Sequence, residues 1–200
     1  MPIALCLLDF QRGIVLSHDI KWESPTVAPE AIAGAQLLLD AARANHIIVI
    51  HVAVVRPHRR GHFDAIRTAT AVRLLRPPRD VVPLAAGTPD IDLVLAPRAD
   101  EEVVYKVGVS AFQNTRLDTL LRNAGADEVY IAGAFTHMVV ESTARQGFDL
   151  GYRMTVVRDA CCAPVAAAHD NALATGIPNF ARTCTVADAI DQFRSQRPAT

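Results

Sequence analysis

Charge of one sign is what this 200-residue chain most conspicuously lacks: 20 Lys and Arg stand against 21 Asp and Glu. Without a basic footprint there is nothing to hold a phosphate backbone, so nucleic acid is not an expected partner. No uninterrupted apolar run approaches the ~20 residues that cross a bilayer, and no membrane span is expected. The start, Met1-Pro-Ile-Ala-Leu-Cys-Leu-Leu-Asp9, has no cationic leader and meets a charge too early for a secretory signal. Cysteine is sparse. Cys6, Cys161, Cys162 and Cys184 lie in or beside apolar runs, without metal-ligand spacing. That usage fits reduced thiols in a cytoplasmic protein, and neither a resident metal nor a cofactor is expected. Internal repeats and low-complexity segments are absent as well.

What is present suits a substantial core. Half of the residues are hydrophobic, enough for a single domain over 1–200 with a polar tail fraying after about residue 194. Short apolar runs alternate with helical patterns. Strands are expected at Ile3–Leu8, Ile47–Val54, Glu102–Lys106, Glu128–Gly133 and Arg153–Val157, with a weaker one at Thr183–Val186. Helices are expected at Pro29–Asn45, Thr115–Ala124, Met138–Leu150, Val165–Ala174 and Ala187–Arg194. In the first of these, Ile32, Ala35, Leu39 and Ala42 recur at helical spacing and mark its buried face. Gly125 and Gly151 read as helix C-caps. Near-continuous apolar strands alternating with helices predict a three-layer α/β/α domain, Rossmann-like, with a doubly wound, mostly parallel sheet of six strands. Two stretches resist assignment: Gln11–Pro29, which holds the only Trp, Trp22, and the Arg- and Pro-rich Val55–Pro97.

In such sheets ligands bind beyond the carboxyl ends of the strands, near the reversal of strand order. Asp9 ends the first strand, Lys106 ends the third, and the Gly133–Val139 turn follows the fourth. Burial would raise the Asp9 pKa and a neighbouring ammonium would lower it, a balance suited to proton transfer near neutral pH. The residues alone leave two roles open, an acid–base pair or a salt bridge orienting two loops. The turn itself sits in Ile131-Ala-Gly-Ala-Phe-Thr-His-Met-Val-Val-Glu-Ser-Thr-Ala-Arg145, a buried strand passing into a helix. Free N–H groups at such a junction stabilise anions and ionise a thiol easily. Val139 occupies the place where a nucleophile would stand, and it can do no covalent chemistry.

Five ordered blocks resemble the isochorismatase-like hydrolases, also called cysteine hydrolases, over about Ile3 to Ala189. Leu8-Asp-Phe-Gln11 looks like the family's Asp-x-Gln; Tyr105-Lys-Val-Gly-Val-Ser-Ala-Phe112, with Thr115 and Leu117, looks like its Lys segment. Gly133-Ala-Phe-Thr136 with Val140-Glu-Ser-Thr-Ala-Arg145, then Phe148-Asp-Leu-Gly-Tyr152, then Val156-Val-Arg-Asp-Ala160 complete the set. The resemblance implies that Asp9 and Lys106 line an active site, with Val139 at the position of the family's nucleophilic Cys. Amide cleavage through an acyl-enzyme is then closed. The resemblance leaves open the scheme of members that act on isochorismate, in which the Asp protonates a vinyl ether and water completes the cleavage. It also implies a cis peptide at Ala134–Phe135, with the Phe135 and Val139 N–H groups facing the substrate as an oxyanion hole. Phe10, Gln11, Phe112, Ala134, Phe135, Thr136 and His137 are the expected substrate-binding residues.

Weaker features have ordinary readings. His51, His58 and His62 lack a carboxylate motif and read as loop or core histidines rather than metal ligands. Arg56, Arg59 and Arg60 form a solvated loop or a clamp for a substrate carboxylate. Cys161 and Cys162 read as small buried hydrophobes, and Asp159 as a structural tie. The resulting expectation is a homo-oligomeric hydrolase of a small molecule that uses Asp9 without a Cys nucleophile. Its alternative is a catalytically silent ligand-binding or scaffold relative.

Overall fold

The structure is a computed structural model, and it describes residues 2–24, 27–55 and 87–196. The reading of Arg56, His58, Arg59, Arg60 and His62 falls outside the described residues. Six parallel strands run β1 (Ile3–Leu8), β2 (Ile48–Val54), β3 (Glu102–Lys106), β4 (Glu128–Ala134), β5 (Arg153–Cys162) and β6 (Ala181–Cys184), in the sheet order β3-β2-β1-β4-β5-β6. The longer helices are α1 (Val27–Ala44), α2 (Leu117–Asn123), α3 (Glu141–Asp149), α4 (Ala166–Asn171) and α5 (Val186–Ser195). Chain order runs outward from β1 to β3 and then from β4 to β6. Right-handed crossovers therefore place α1 and α3 on opposite faces, giving a doubly wound sheet as expected.

Burial explains the strand composition. Every residue of β1 is buried, because both faces are covered and β1 lies between β2 and β4. In α1 the buried residues Ala28, Ala31, Ala35, Leu38, Leu39 and Ala42 form one stripe, and the helix packs against β5 and α5. Gly125 and Gly151 adopt φ values of 65° and 90°, the left-handed conformation expected where the chain leaves a helix. α5 begins with Thr185, whose hydroxyl takes the Asp188 N–H while the Asp188 carboxylate takes the Thr185 N–H. Among the described residues, no helix is long and apolar enough to cross a membrane.

Two departures from expectation matter for the site. The fourth strand continues into a single widened helical turn, Thr136–Val140, before α3 starts at Glu141; such turns recur at functional sites. β5 runs past Val157 to Cys162, and its register against β4 shifts between Ile131↔Val156 and Gly133↔Cys161. Asp159 lies in that irregular stretch and accepts the Val186 N–H at 2.7 Å, tying β5 to the start of α5.

Candidate active site at the switch point

The strand order reverses between β1 and β4, and the C-terminal ends of these two strands carry the strained backbone. Asp9 has φ 57° and Phe135 has φ 59° and ψ 61°. Left-handed backbone costs a non-glycine residue roughly 1–2 kcal/mol, and such residues gather at sites where the surrounding structure holds them for a purpose. Gly133 allows the two ends to come together: a Cβ there would lie 2.5 Å from the Leu8 carbonyl oxygen and 2.6 Å from the Leu8 Cβ.

Lys106 comes from β3, two strands away from β1, a separation of about 10 Å. Its long side chain reaches over β2, and Nζ donates to Asp9 Oδ2 at 2.8 Å and to the Gly108 carbonyl at 3.2 Å. Both residues are only 2% exposed. The second carboxyl oxygen, Oδ1, is buried with no hydrogen-bond partner among the described residues. Burial raises the Asp9 pKa above the ordinary carboxyl value; the charge and hydrogen bond of Lys106 pull it down but do not cancel the rise. Burial thus favours the protonated form of this carboxyl, and the unpartnered oxygen is the one left free to carry the proton.

The turn after β4 differs from what the family resemblance implied. The Ala134–Phe135 peptide is trans, and left-handed Phe135 makes the sharp exit from the strand instead. The Val139 N–H donates to the Phe135 carbonyl at 2.8 Å, and the Phe135 N–H is directed at the Cys162 thiol. The Val139 donor expected to form an oxyanion hole is thus committed within the turn. The Val139 side chain is buried, 6% exposed. Cys161 and Cys162 are also buried, and burial raises both thiol pKa values, that of Cys162 to about 12, so neither is a displaced nucleophile.

Three expected substrate contacts belong to the framework. Gln11 is fully buried; its Nε2 donates to the carbonyls of Val54 at 2.9 Å and Ile91 at 3.3 Å, and its Oε1 accepts the Val54 N–H at 2.8 Å. Its carboxamide is spent on joining β2 to the 89–91 turn. Phe10 is a core side chain, 1% exposed. Phe112 stacks on Tyr152 with centroids 5.6 Å apart, while the adjacent Ala111 N–H donates to Thr143 Oγ1 on α3. These rings face the helix layer because the segment after Lys106 is anchored there. Ala134, Phe135, Thr136 and His137 do lie together on the turn, with Trp22 6.5 Å from Phe135 between ring centroids. Thr136 is fully buried, and its hydroxyl pairs with Nδ1 of His169 at 2.8 Å. Sequence reasoning passed over His169; it sits on short α4, and only the tertiary fold brings it to the turn.

His51 stands apart from this group as a core histidine. Its Nε2 is 2.9 Å from Glu101 Oε2, and Arg43 grips the same carboxylate at 2.7 and 2.9 Å. Burial acts to raise the Glu101 pKa, but the bonds from Arg43, the Arg98 N–H and His51 outweigh it and bring the value down to about 2. Burial keeps the His51 pKa below its usual value despite that carboxylate. Among the described residues, no group of His, Cys, Asp and Glu side chains is arranged to hold a metal ion.

The pattern that defines the isochorismatase domain matches residues 3–188. Among curated proteins, an uncharacterized isochorismatase family protein from Bacillus subtilis, YwoC, is 33% identical over 203 residues, covering 96% of this chain and 94% of its own. The ureidoacrylate amidohydrolase RutB of Serratia proteamaculans is 46% identical over 79 residues, 38% of this chain and 32% of its own. Among solved structures, a cysteine hydrolase from Pseudomonas syringae superposes with a TM-score of 0.78 at 28% identity, over 96% of this chain and 92% of that one. The chain belongs to the isochorismatase family of hydrolases.

Proposed function

We propose that this protein hydrolyses a small enol (vinyl) ether by proton transfer from Asp9, without a covalent intermediate. The observation that carries this reading is the buried Asp9 carboxyl, paired through Oδ2 with Lys106 and unpartnered at Oδ1. Support also comes from what the turn does not offer. Acyl transfer needs an attacking atom and donors for a tetrahedral oxyanion, whereas the Val139 side chain offers no nucleophile and its N–H is taken by the Phe135 carbonyl.

Enol ether cleavage needs only a proton and a water. Asp9 transfers its proton to the terminal vinyl carbon, and the adjacent carbon becomes an oxocarbenium ion. The Asp9 carboxylate, now balanced by Lys106, takes a proton from the incoming water as its oxygen bonds to that carbon. The hemiketal then collapses: its hydroxyl proton passes to the leaving-group oxygen as the C–O bond to that oxygen breaks, and a methyl ketone and an alcohol are released. Asp9 ends as it began. A raised pKa favours the proton-loaded starting state, and Lys106 lowers the cost of the ionised one. Isochorismate, the substrate type considered from sequence, is one member of this chemical class.

Kinetics of Asp9→Asn on a panel of enol ethers and small amides test the proposal. The expected result is enol ether turnover by the parent, no amide turnover, and a loss of at least 100-fold in kcat for the variant, the scale of general acid catalysis. Unchanged turnover in Asp9→Asn overturns the mechanism. Ligand binding without turnover across the panel establishes the silent-binder alternative instead.

A further inference from the structure

We infer that Trp22 and His137 form a carboxylate-binding subsite beside Phe135. The inference rests on the enol ether reading and deepens it, because it assigns the place where an acidic group of that substrate is held. Three buried ring nitrogens lack a hydrogen-bond partner among the described residues: His51 Nδ1 in the core, and Trp22 Nε1 and His137 Nδ1, which both belong to rings beside Phe135. Buried polar groups are rarely left this way, and each calls for a physical explanation. An indole N–H only donates, so what completes Trp22 is an acceptor.

Both rings flank the same residue. Trp22 and His137 each lie 6.5 Å from Phe135 between ring centroids, and Phe135 opens the turn next to the β1 end that carries Asp9. Trp22 is held in place by its neighbour: the Glu23 N–H donates to the Pro164 carbonyl at 2.9 Å, and Glu23 Oε2 accepts the Ala166 N–H at 2.7 Å. His169, bonded to Thr136, adds a second imidazole close enough to act on His137 electrostatically.

Glu141 is the acidic residue that acts on His137, and Arg145 holds it at 2.6 Å; Asp170 acts on His169. Burial keeps both imidazoles below their usual pKa. A carboxylate accepts from the unpartnered nitrogens of Trp22 and His137, and planar unsaturation attached to it would stack beside Phe135.

The sole Trp gives a direct test. The one indole N–H resonance of the full chain is followed while benzoate is added, with benzyl alcohol as the uncharged control. Benzoate is expected to move the resonance downfield to saturation and benzyl alcohol to leave it unmoved. Trp22→Phe and His137→Phe, which keep a ring and lose the nitrogen, are expected to weaken benzoate binding about tenfold or more. An indole resonance indifferent to benzoate, an equal response to benzyl alcohol, or full affinity in Trp22→Phe overturns the subsite. If the variants misfold, the titration of the parent decides. Binding is read without turnover, so the two readings fail separately: a benzoate response in a protein that cleaves no enol ether removes the reaction, and turnover with a silent indole removes the subsite.

Discussion

Replacing Lys106 by Met removes the only ion partner that Asp9 has among the described residues and leaves its carboxyl 2% exposed. Two outcomes bound the cost. A buried carboxylate left ionised and alone costs about 3–5 kcal/mol. A carboxyl that escapes by taking a proton at pH 7, against an ordinary value near 3.9, costs about 4 kcal/mol. The parent already bears part of this cost, because its own Asp9 pKa is raised, so the loss at neutral pH is expected to be at most about 4 kcal/mol, with Met replacing most of the apolar stem of Lys. The pH dependence separates the routes. A raised folded-state pKa means that the native protein binds a proton the unfolded chain has lost. Stability therefore falls as pH rises above the unfolded value, by up to about 1.4 kcal/mol per unit, and the penalty vanishes below that value. At pH 4.5 the difference from the parent is expected to shrink to about 1 kcal/mol. Urea unfolding of Lys106→Met at pH 7 and pH 4.5 measures both quantities. The double variant Asp9→Leu/Lys106→Met is expected to regain stability over the single one, since no buried charge remains. A difference from the parent that does not grow between pH 4.5 and pH 7 would refute the claim that this pair governs the Asp9 proton.

Gly133→Ala brings a Cβ within 2.5 Å of the Leu8 carbonyl oxygen, so a loss of roughly 1–3 kcal/mol is expected from overpacking in thermal unfolding; a neutral substitution would show that β1 and β4 separate freely at the switch point. Glu101, whose pKa is brought from 4.5 to about 2, stabilises the fold above the unfolded value, and that contribution is lost as pH falls through the 4.5-to-2 window. Acid titration by circular dichroism is expected to show Glu101→Gln weaker at neutral pH and flatter across that window, and parallel curves would remove the Arg43–Glu101–His51 group as an acid-labile clamp.

Much of this architecture is legible in the chain because burial on both faces writes itself into composition. Ile3–Leu8 and Glu102–Lys106 emerge with the boundaries expected, since each run stops at a charged residue, Asp9 or Lys106. Strand-end logic likewise brings Asp9 and Lys106 together across 97 positions. The misses have local causes. β5 looks finished at Val157 because Arg158 and Asp159 interrupt the apolar pattern, yet the chain resumes pairing at Cys161 after a register shift. Nothing in Thr136–Val140 announces a widened turn, and its hydrogen bonds consume the Val139 N–H that the family resemblance had reserved for a substrate. Gln11 looks like a ligand contact from its motif. Its partner, Val54, is 43 residues away, and only the fold shows that the carboxamide is already used.

The central claim, that Asp9 delivers the proton which opens an enol ether, is tested most directly by isotope transfer. Hydrolysis in deuterium oxide, quenched early and read by mass spectrometry, is expected to place one deuterium in the methyl group of the ketone product, with the reaction lost in Asp9→Asn. A product methyl free of deuterium, or labelled turnover that persists in Asp9→Asn, would contradict the account.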